Sequence, residues 1–228
     1  MYDRIEARFE ASKMSAGGVD ARCPYLVFHS VLGPEYAAAL LNYVVDRQAD
    51  FRHGAMHNRQ TGENFTDSNI RRSLYLTDLG VFAGPIKAYV AAIAAPALDA
   101  LGMTDPRVEP KQFEITAYPD GGHIGEHIDT DRGKNGVRVL SCVYYFATTP
   151  RRFRGGELRL YGFPKFSAVG AAPSPPSFVD IEPHTDTLVV FPSWLRHQVL
   201  PVRVPSGQWA DARFTINCWI HRAGPSQV

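Results

Sequence analysis

The residues best placed to do chemistry are His127-Ile128-Asp129, taken together with His197 and Arg213 far downstream. In an extended segment side chains alternate with period two, so a His-x-Asp pair presents both groups on one face, where they can share one metal ion. Two imidazoles and a carboxylate on one side of a metal leave its other positions open, an arrangement that suits non-haem Fe(II) working with dioxygen. His197 is the third-ligand candidate because it follows Leu188-Val189-Val190-Phe191-Pro192-Ser193, an apolar strand ending in a turn where polar residues return. By composition His184 and His221 compete for that place, and each reads better as a surface or core histidine. His53 and His57 lie four apart in a segment without helical pattern and read as loop residues.

Fe(II) held by three protein ligands must draw two electrons from elsewhere to cleave dioxygen. A 2-oxo acid that chelates the metal through its keto and carboxylate oxygens can supply them, and its far carboxylate then needs an anchor. Arg213 suits that task, since a planar guanidinium in a buried strand can grip a carboxylate bidentately. Thr215, two residues on and so on the same face, can add a hydroxyl donor.

These groups need a scaffold. The 228 residues, 45% apolar with a formal net charge of +1, read as a single domain over 1–228 with a sizeable core. Lys and Arg are scattered, which gives no electrostatic case for nucleic acid or an anionic membrane. The basic cluster Arg151-Arg152-Phe153-Arg154 reads as a solvated loop. Cys23, Cys142 and Cys218 form no CxxC pair and read as buried reduced thiols of a cytoplasmic protein. Residues 1–18 lack the apolar stretch of a secretory signal, and no apolar run is expected to reach the roughly 20 residues that span a membrane.

Residues 1–23 read as a frayed helix or arm, Tyr25 to Phe28 as a strand, and 33–46 as a helix opened by Pro34. Phe51 to Asn69, with little periodicity, is a loop with a possible hairpin and the candidate cover for a substrate, helped by Arg71 and Arg72. A second helix runs from about Gly84 to Leu101, with Pro96 expected to kink or end it and Gly102 to stop it. From residue 106 onward Val108 to Tyr118, Ile124 to Thr130, Val137 to Phe146, Glu157 to Tyr161, Thr187 to Phe191, His197 to Val204 and Ala212 to Ile220 read as strands. Val169 to Ser177, rich in Pro, is a loop. Helices first and strands afterwards make a mainly β, α+β protein, an antiparallel sandwich or barrel (106–221) with a helical buttress (1–105). Tyr118 to His127 reads as strand, tight turn and strand, a hairpin bringing Tyr118 near His127.

In this order, Tyr118-Pro119 with its glycines, His127-Ile128-Asp129, Cys142 to Phe146, Gly155-Gly156-Glu157-Leu158, Val190 to Ser193, His197 with Pro201-Val202, and Arg213 to Trp219 resemble the Fe(II)/2-oxoglutarate-dependent dioxygenases, and within them the prolyl 4-hydroxylase branch. The resemblance implies a double-stranded β-helix, or jelly roll, with Fe(II) bound by His127, Asp129 and His197. It implies 2-oxoglutarate held by Arg213, Thr215 and Tyr145, with Tyr118 near its chelating end and Val143 and Leu158 as apolar walls. Arg138 and Trp219 match positions on the substrate side. The implied reaction consumes O2, releases succinate and CO2, and hydroxylates an unactivated C–H bond of a peptidyl residue, a free amino acid or another small molecule; the carboxylate of Asp129 favours hydroxylation over halogenation. One departure is the longer interval between His197 and Arg213, where Val204 to Asp211 looks inserted; the Arg-to-Trp spacing selects Arg213 over Arg203.

Two other classes stand beside this one. A non-catalytic β-helix domain could bind a metal or small acid as a sensor or interaction module, and a zinc hydrolase could use the same triad without oxygen or 2-oxoglutarate.

Overall fold

The computed structural model describes residues 23–54, 56–57, 64–65, 67–104, 107–130, 137–162 and 177–223. The arm expected over 1–23, all but its last residue, the tip of the 51–69 loop and most of the Val169 to Ser177 loop lie outside the described residues.

In chain order the elements are β1 (Leu26–His29), α1 (Pro34–Asp46), β2 (Arg52–His53), β3 (Met56–His57), β4 (Asn64–Phe65), β5 (Arg71–Arg72), β6 (Leu74–Leu76) and α2 (Ala83–Ala100). There follow β7 (Val108–Tyr118), β8 (His123–His127), β9 (Arg138–Phe146), β10 (Arg154–Gly155), β11 (Leu158–Tyr161) and β12 (Phe178–Ile181). The last are β13 (Thr187–Pro192), β14 (His197–Val199), β15 (Val202–Arg203) and β16 (Arg213–Arg222). A large antiparallel sheet has the order β1-β13-β9-β16-β7-β6-β2, and a smaller one the order β12-β11-β14-β8-β5. Two facing antiparallel sheets, mainly β with two helices outside, make the double-stranded β-helix expected from the sequence. The strands β3 and β4 pair with each other, the hairpin allowed for in the 51–69 loop.

The long strands β7, β9 and β16 carry the architecture. Their even alternation gives each two faces. One packs Ile115, Leu140, Tyr144, Phe214 and Ile216 against the helices in the main apolar core. The opposite face looks toward the smaller sheet, where Tyr118, Tyr145, Leu158, Leu160 and Val189 form a second cluster. Helix α2 applies Ile86, Val90, Ile93, Ala97 and Leu98 to the core. It runs unbroken through Pro96, which sits on its exposed side, where water can take the carbonyl that loses its partner. Gly102, at φ +66°, ends it. Contrary to the sequence reading, Gly80–Ala100 is long and apolar enough to cross a membrane by length and composition; its apolar stripe is spent on the core, and the rest of its surface is largely alanine.

Two local readings are corrected. Tyr118 to His127 is not a hairpin: β7 pairs with β16 and β6, whereas β8 pairs with β14 and β5. The chain turns a corner from one sheet to the other, with Gly121 at φ +73°. The corner is tied to β15 and the residue after it by Gly121 N–H to Val202 O, Val202 N–H to Gly122 O, and Val204 N–H to the Asp120 carboxylate. The second correction is the strand expected through Thr130, which ends at His127.

The segment Val204 to Asp211 docks on the helical layer. Trp209 packs edge-on to Phe51 and Phe214 and donates its indole N–H to Val44 O. In the Arg151 to Arg154 stretch the arginines lie toward solvent, but Phe153 is buried.

Asp186 closes the other end of the sandwich. Buried and at φ +59°, it accepts the backbone N–H groups of Leu32 (2.8 Å) and Gly33 (3.0 Å) and the hydroxyl of Tyr144 (3.0 Å). It thereby fixes the entry to α1 against β9 and β13. Asp186→Ala, which strands three donors, is expected to lower unfolding free energy by about 2–4 kcal/mol in urea titrations, with metal affinity unchanged; a loss below about 0.5 kcal/mol would show that these bonds do not hold α1 in place.

Candidate metal centre and carboxylate clamp

The smaller sheet brings the two histidines together. His197 at the start of β14 lies directly opposite His127 at the end of β8, and the two ring centroids are 4.1 Å apart. Asp129 reaches them from the bend after β8, not from the strand, and is held there by its N–H to Ser193 O at 2.9 Å. Its two carboxylate oxygens lie 3.6 Å from His127 Nε2 and 3.6 Å from His197 Nε2. One ligand atom from each of the three falls within 4.8 Å of the others, so the group can hold a metal ion.

The ring orientations are set from behind. Nδ1 of His127 faces Gly125 O at 2.8 Å and Nδ1 of His197 faces Leu195 O at 2.9 Å. A carbonyl can only accept, so each Nδ1 carries the proton and each Nε2 lone pair points at the centre. Burial, with the His127 charge beside it, pushes His197 down to about 4 against some support from Asp129. Burial disfavours the Asp129 charge, but His197, His127 and the Ser141 hydroxyl outweigh it and hold the carboxyl well below the usual range. Ser141 donates to Asp129 Oδ2 at 2.6 Å and lies 3.0 Å from the Ser193 hydroxyl. Neither serine has a role that the sequence alone reveals, since that role depends on the pairing of β9 with β13 and not on local spacing.

Arg213 is 1% exposed and Thr215 is fully buried. The Arg213 Nε–H donates to Gly156 O at 2.7 Å, and the guanidinium lies 4.7 Å from the ring centre of Tyr118 and 5.0 Å from that of Tyr145. Both terminal guanidinium nitrogens, the Thr215 hydroxyl and the Tyr145 hydroxyl are buried with no hydrogen-bond partner among the described residues. Thr215 is directly opposite Tyr145 on β9, so the four donors share one region of one face. Burial pushes the Tyr145 phenol up to about 12 and also raises Tyr118, with Arg213 drawing both partly back; both hydroxyls therefore keep their protons near neutral pH. A buried cation with unsatisfied donors and no counter-ion is costly. A carboxylate is the group that fits it.

Of the remaining expected residues, Leu158 is buried and Val143 half-buried, both in the second apolar cluster or packed against it. Arg138 stacks 3.9 Å from the centre of the Trp219 ring and donates to Asp129 O at 3.2 Å, which sets both beside the triad. Arg71 and Arg72 lie on β5, at the edge of the smaller sheet beside β8. His184 and His221 lie outside the cluster, pairing with Glu182 and Gln112 respectively.

Residues 113–221 match the model of the 2OG-Fe(II) oxygenase superfamily. This stretch belongs to that superfamily. Over 111 residues, 49% of this chain, it is 36% identical to an uncharacterised PKHD-type hydroxylase of Synechocystis sp.. The match spans 36% of that relative's length. A prolyl hydroxylase from Trichoplax adhaerens, solved with a peptide fragment of the hypoxia inducible factor oxygen degradation domain, has a similar fold: TM-score 0.59, 18% identity, 88% of this chain and 84% of that one. A Pseudomonas putida prolyl-4-hydroxylase gives TM-score 0.55 and 24% identity over 88% of this chain and 94% of that one. Membership of the superfamily implies Fe(II), 2-oxoglutarate and O2, and the triad and clamp supply a donor set of the right chemistry for each of the first two.

Ser141→Ala removes the hydroxyl that orients Asp129 and is expected to weaken Mn(II) or Fe(II) binding roughly 10-fold in calorimetric titrations. The metal-free protein should also show the His197 shift. An unfolded histidine protonates near 6.5, so between about 6.5 and 4 the unfolded chain binds more protons, and stability falls as pH drops through that window. Urea midpoints are expected to fall more steeply there in the wild type than in His197→Asn.

Proposed function

We propose that the protein is an Fe(II)- and 2-oxoglutarate-dependent hydroxylase of the prolyl 4-hydroxylase-like kind, acting on an unactivated C–H bond of an amino acid, free or in a peptide. The observation that carries this is the set of four unpartnered buried donors of Arg213, Thr215 and Tyr145 close to a triad of two histidines and an aspartate. A structural metal site has no use for an anion clamp beside it.

In this reading His127, Asp129 and His197 hold the metal on one side and leave the other side open to ligands. Bound Fe(II) and 2-oxoglutarate supply the reduction of dioxygen, with succinate and CO2 as products. Arg213 takes the distal carboxylate in its fork while Thr215 and Tyr145 donate to the same group. Tyr118 packs against the guanidinium, and Val143 and Leu158 exclude water from the chain between the two ends. Ser141 keeps Asp129 ionised and aimed, and the backbone carbonyls behind the histidines keep both Nε2 atoms free of protons. Arg138 and Trp219 form the substrate side of the mouth, which Arg71, Arg72 and the 51–69 segment help to close. The three buried unpaired cysteines suit a reducing compartment such as the cytoplasm.

The test is 2-oxoglutarate turnover by iron-loaded protein, read as succinate. Activity is expected to require Fe(II) and O2 and to vanish in Asp129→Ala. Arg213→Lys, which loses the bidentate fork, is expected to raise the KM for 2-oxoglutarate roughly 100-fold. Folded, iron-loaded protein that neither binds nor turns over 2-oxoglutarate would overturn the proposal. Binding without turnover would favour the sensor reading, and hydrolysis without O2 the zinc one.

A further inference from the structure

The pocket face of the large sheet is a ladder of rows. Arg213 opposes Tyr118; Thr215 opposes Thr116 and Tyr145; Asn217 opposes Glu114 and Val143; Trp219 opposes Ser141. The first two rows form the clamp, and the last reaches Asp129 through Ser141. Glu114 and Asn217 therefore lie between the clamp and the row that touches the triad, on the face that looks into the site. Thr116 and Tyr118, the next residues on this face of β7, are buried, whereas Glu114 keeps accessible surface, and its carboxylate lies close enough for the charge of the ligand Asp129 to act on it.

The hydrogen bonding there has a direction. Asn217 Nδ2 donates to Thr116 Oγ1 at 2.8 Å, and Thr116 Oγ1 in turn donates to Glu114 Oε1 over a long 3.5 Å. The one hydroxyl proton of Thr116 is thus aimed at Glu114, and the amide oxygen of Asn217 is left over. Two acceptors on this wall, the Glu114 carboxylate and the Asn217 amide oxygen, are left under-satisfied, beside the second Asn217 N–H and the unpaired indole N–H of Trp219 in the next row. Among the described residues Glu114 has this one weak hydrogen bond and no ion pair within 4.0 Å. Burial pushes the Glu114 carboxyl above its usual range and the Asp129 charge adds to the rise, with Arg71 and Arg138 drawing it partly back. Arg71 is bonded to Ser73, and Arg138 to Gln112, Asp129 O and the Trp219 face.

We propose that Glu114, with the amide oxygen of Asn217, receives the ammonium group of the substrate, and that this substrate is a free amino acid and not a residue inside a peptide chain. An ammonium is the group that pairs with an under-satisfied carboxylate beside a free amide oxygen, and the neighbouring Asn217 and Trp219 N–H groups suit the carboxylate of the same molecule. Arginines on either side give the positive field in which the other half of a zwitterion is comfortable. A proline inside a peptide brings neither charge, and it would leave the Glu114 carboxylate half-desolvated and unpaired. The inference rests on the dioxygenase reading above and names the substrate class for that same site.

The test uses the protein loaded with Fe(II), presented in turn with the common L-amino acids, their Nα-methyl and Nα-acetyl derivatives, and end-blocked proline peptides. Anaerobic 2-oxoglutarate binding is measured alongside. At least one free amino acid is expected to stimulate succinate release. Its Nα-methyl form, which keeps the charge, should remain within a few-fold, and its Nα-acetyl form should lose roughly 10- to 100-fold in kcat/KM. Glu114→Gln should raise the KM for the free acid by a similar factor, with the 2-oxoglutarate Kd within about twofold of the wild type. Equal use of free and acetylated forms, turnover of blocked peptides but of no free amino acid, no response to any free amino acid, or an unchanged KM in Glu114→Gln would each overturn it. The wild-type comparison of methyl and acetyl forms decides even if the variant folds poorly. Failure of the wild type to bind 2-oxoglutarate at all is a separate result and removes the dioxygenase reading itself.

Discussion

A guanidinium cation shut away from water, with no acidic partner among the described residues, is the constraint around which the rest of the site is arranged. Arg213 is 1% exposed, and only its Nε–H is satisfied from within, by Gly156 O. The backbone has to come very close to allow this: a Cβ at Gly156 would sit 2.6 Å from Arg213 Cδ, and the residue is at φ +75°, which suits glycine alone. Tyr118 and Tyr145 supply ring faces on either side, which soften the charge without neutralising it. Isolated burial of such an ion is expensive, and a carboxylate is the group whose binding would offset that cost.

The clamp and the triad stand on different sheets, so something must hold the sheets in register. Asp129 does this at the site. Its backbone N–H goes to Ser193 O, beyond β13, and its carboxylate receives Ser141 of β9, while its charge faces two histidines of the smaller sheet. The corner at Gly121 and Gly122, pinned to Val202, keeps β7 and β8 at a fixed separation. Farther away, Asp186 anchors α1 to β9, and Trp209 carries the stretch before β16 onto the same helix. The result is a rigid frame behind a site whose own groups are left wanting partners.

What could be read in the sequence follows the range of the interactions. Val108 to Tyr118 was bounded correctly because its alternation is local, and Arg213 with Thr215 was legible because period two places them on one face. The triad was found although Asp129 lies outside the strand: a two-residue step keeps it near His127 in either conformation. The corner after Tyr118 was misread as a hairpin because glycines after a strand specify a turn, not which sheet the next strand joins. Ser141, Ser193 and Glu114 were passed over for the same reason. Each acts across a strand pairing, and the register that sets Glu114 opposite Asn217 or Ser141 opposite Trp219 is decided by packing far along the chain.

Charge is graded along the pocket face. At one end lies the Arg213 cation, in a group of four donors that have no partner among the described residues; two rows away lies the Glu114 carboxylate with one weak hydrogen bond. Electrostatic contrast of this kind sorts ligands before any contact is made. A dicarboxylate placed with its tail toward Glu114 meets a like charge in a partly desolvated space, and placed toward Arg213 it meets an unpaired cation. An ammonium experiences the reverse. On the proposed reading, two small acids that differ by an amine are drawn toward opposite ends of this face by fixed charges on two neighbouring strands, β16 and β7. On that reading cosubstrate and substrate do not compete for the same end.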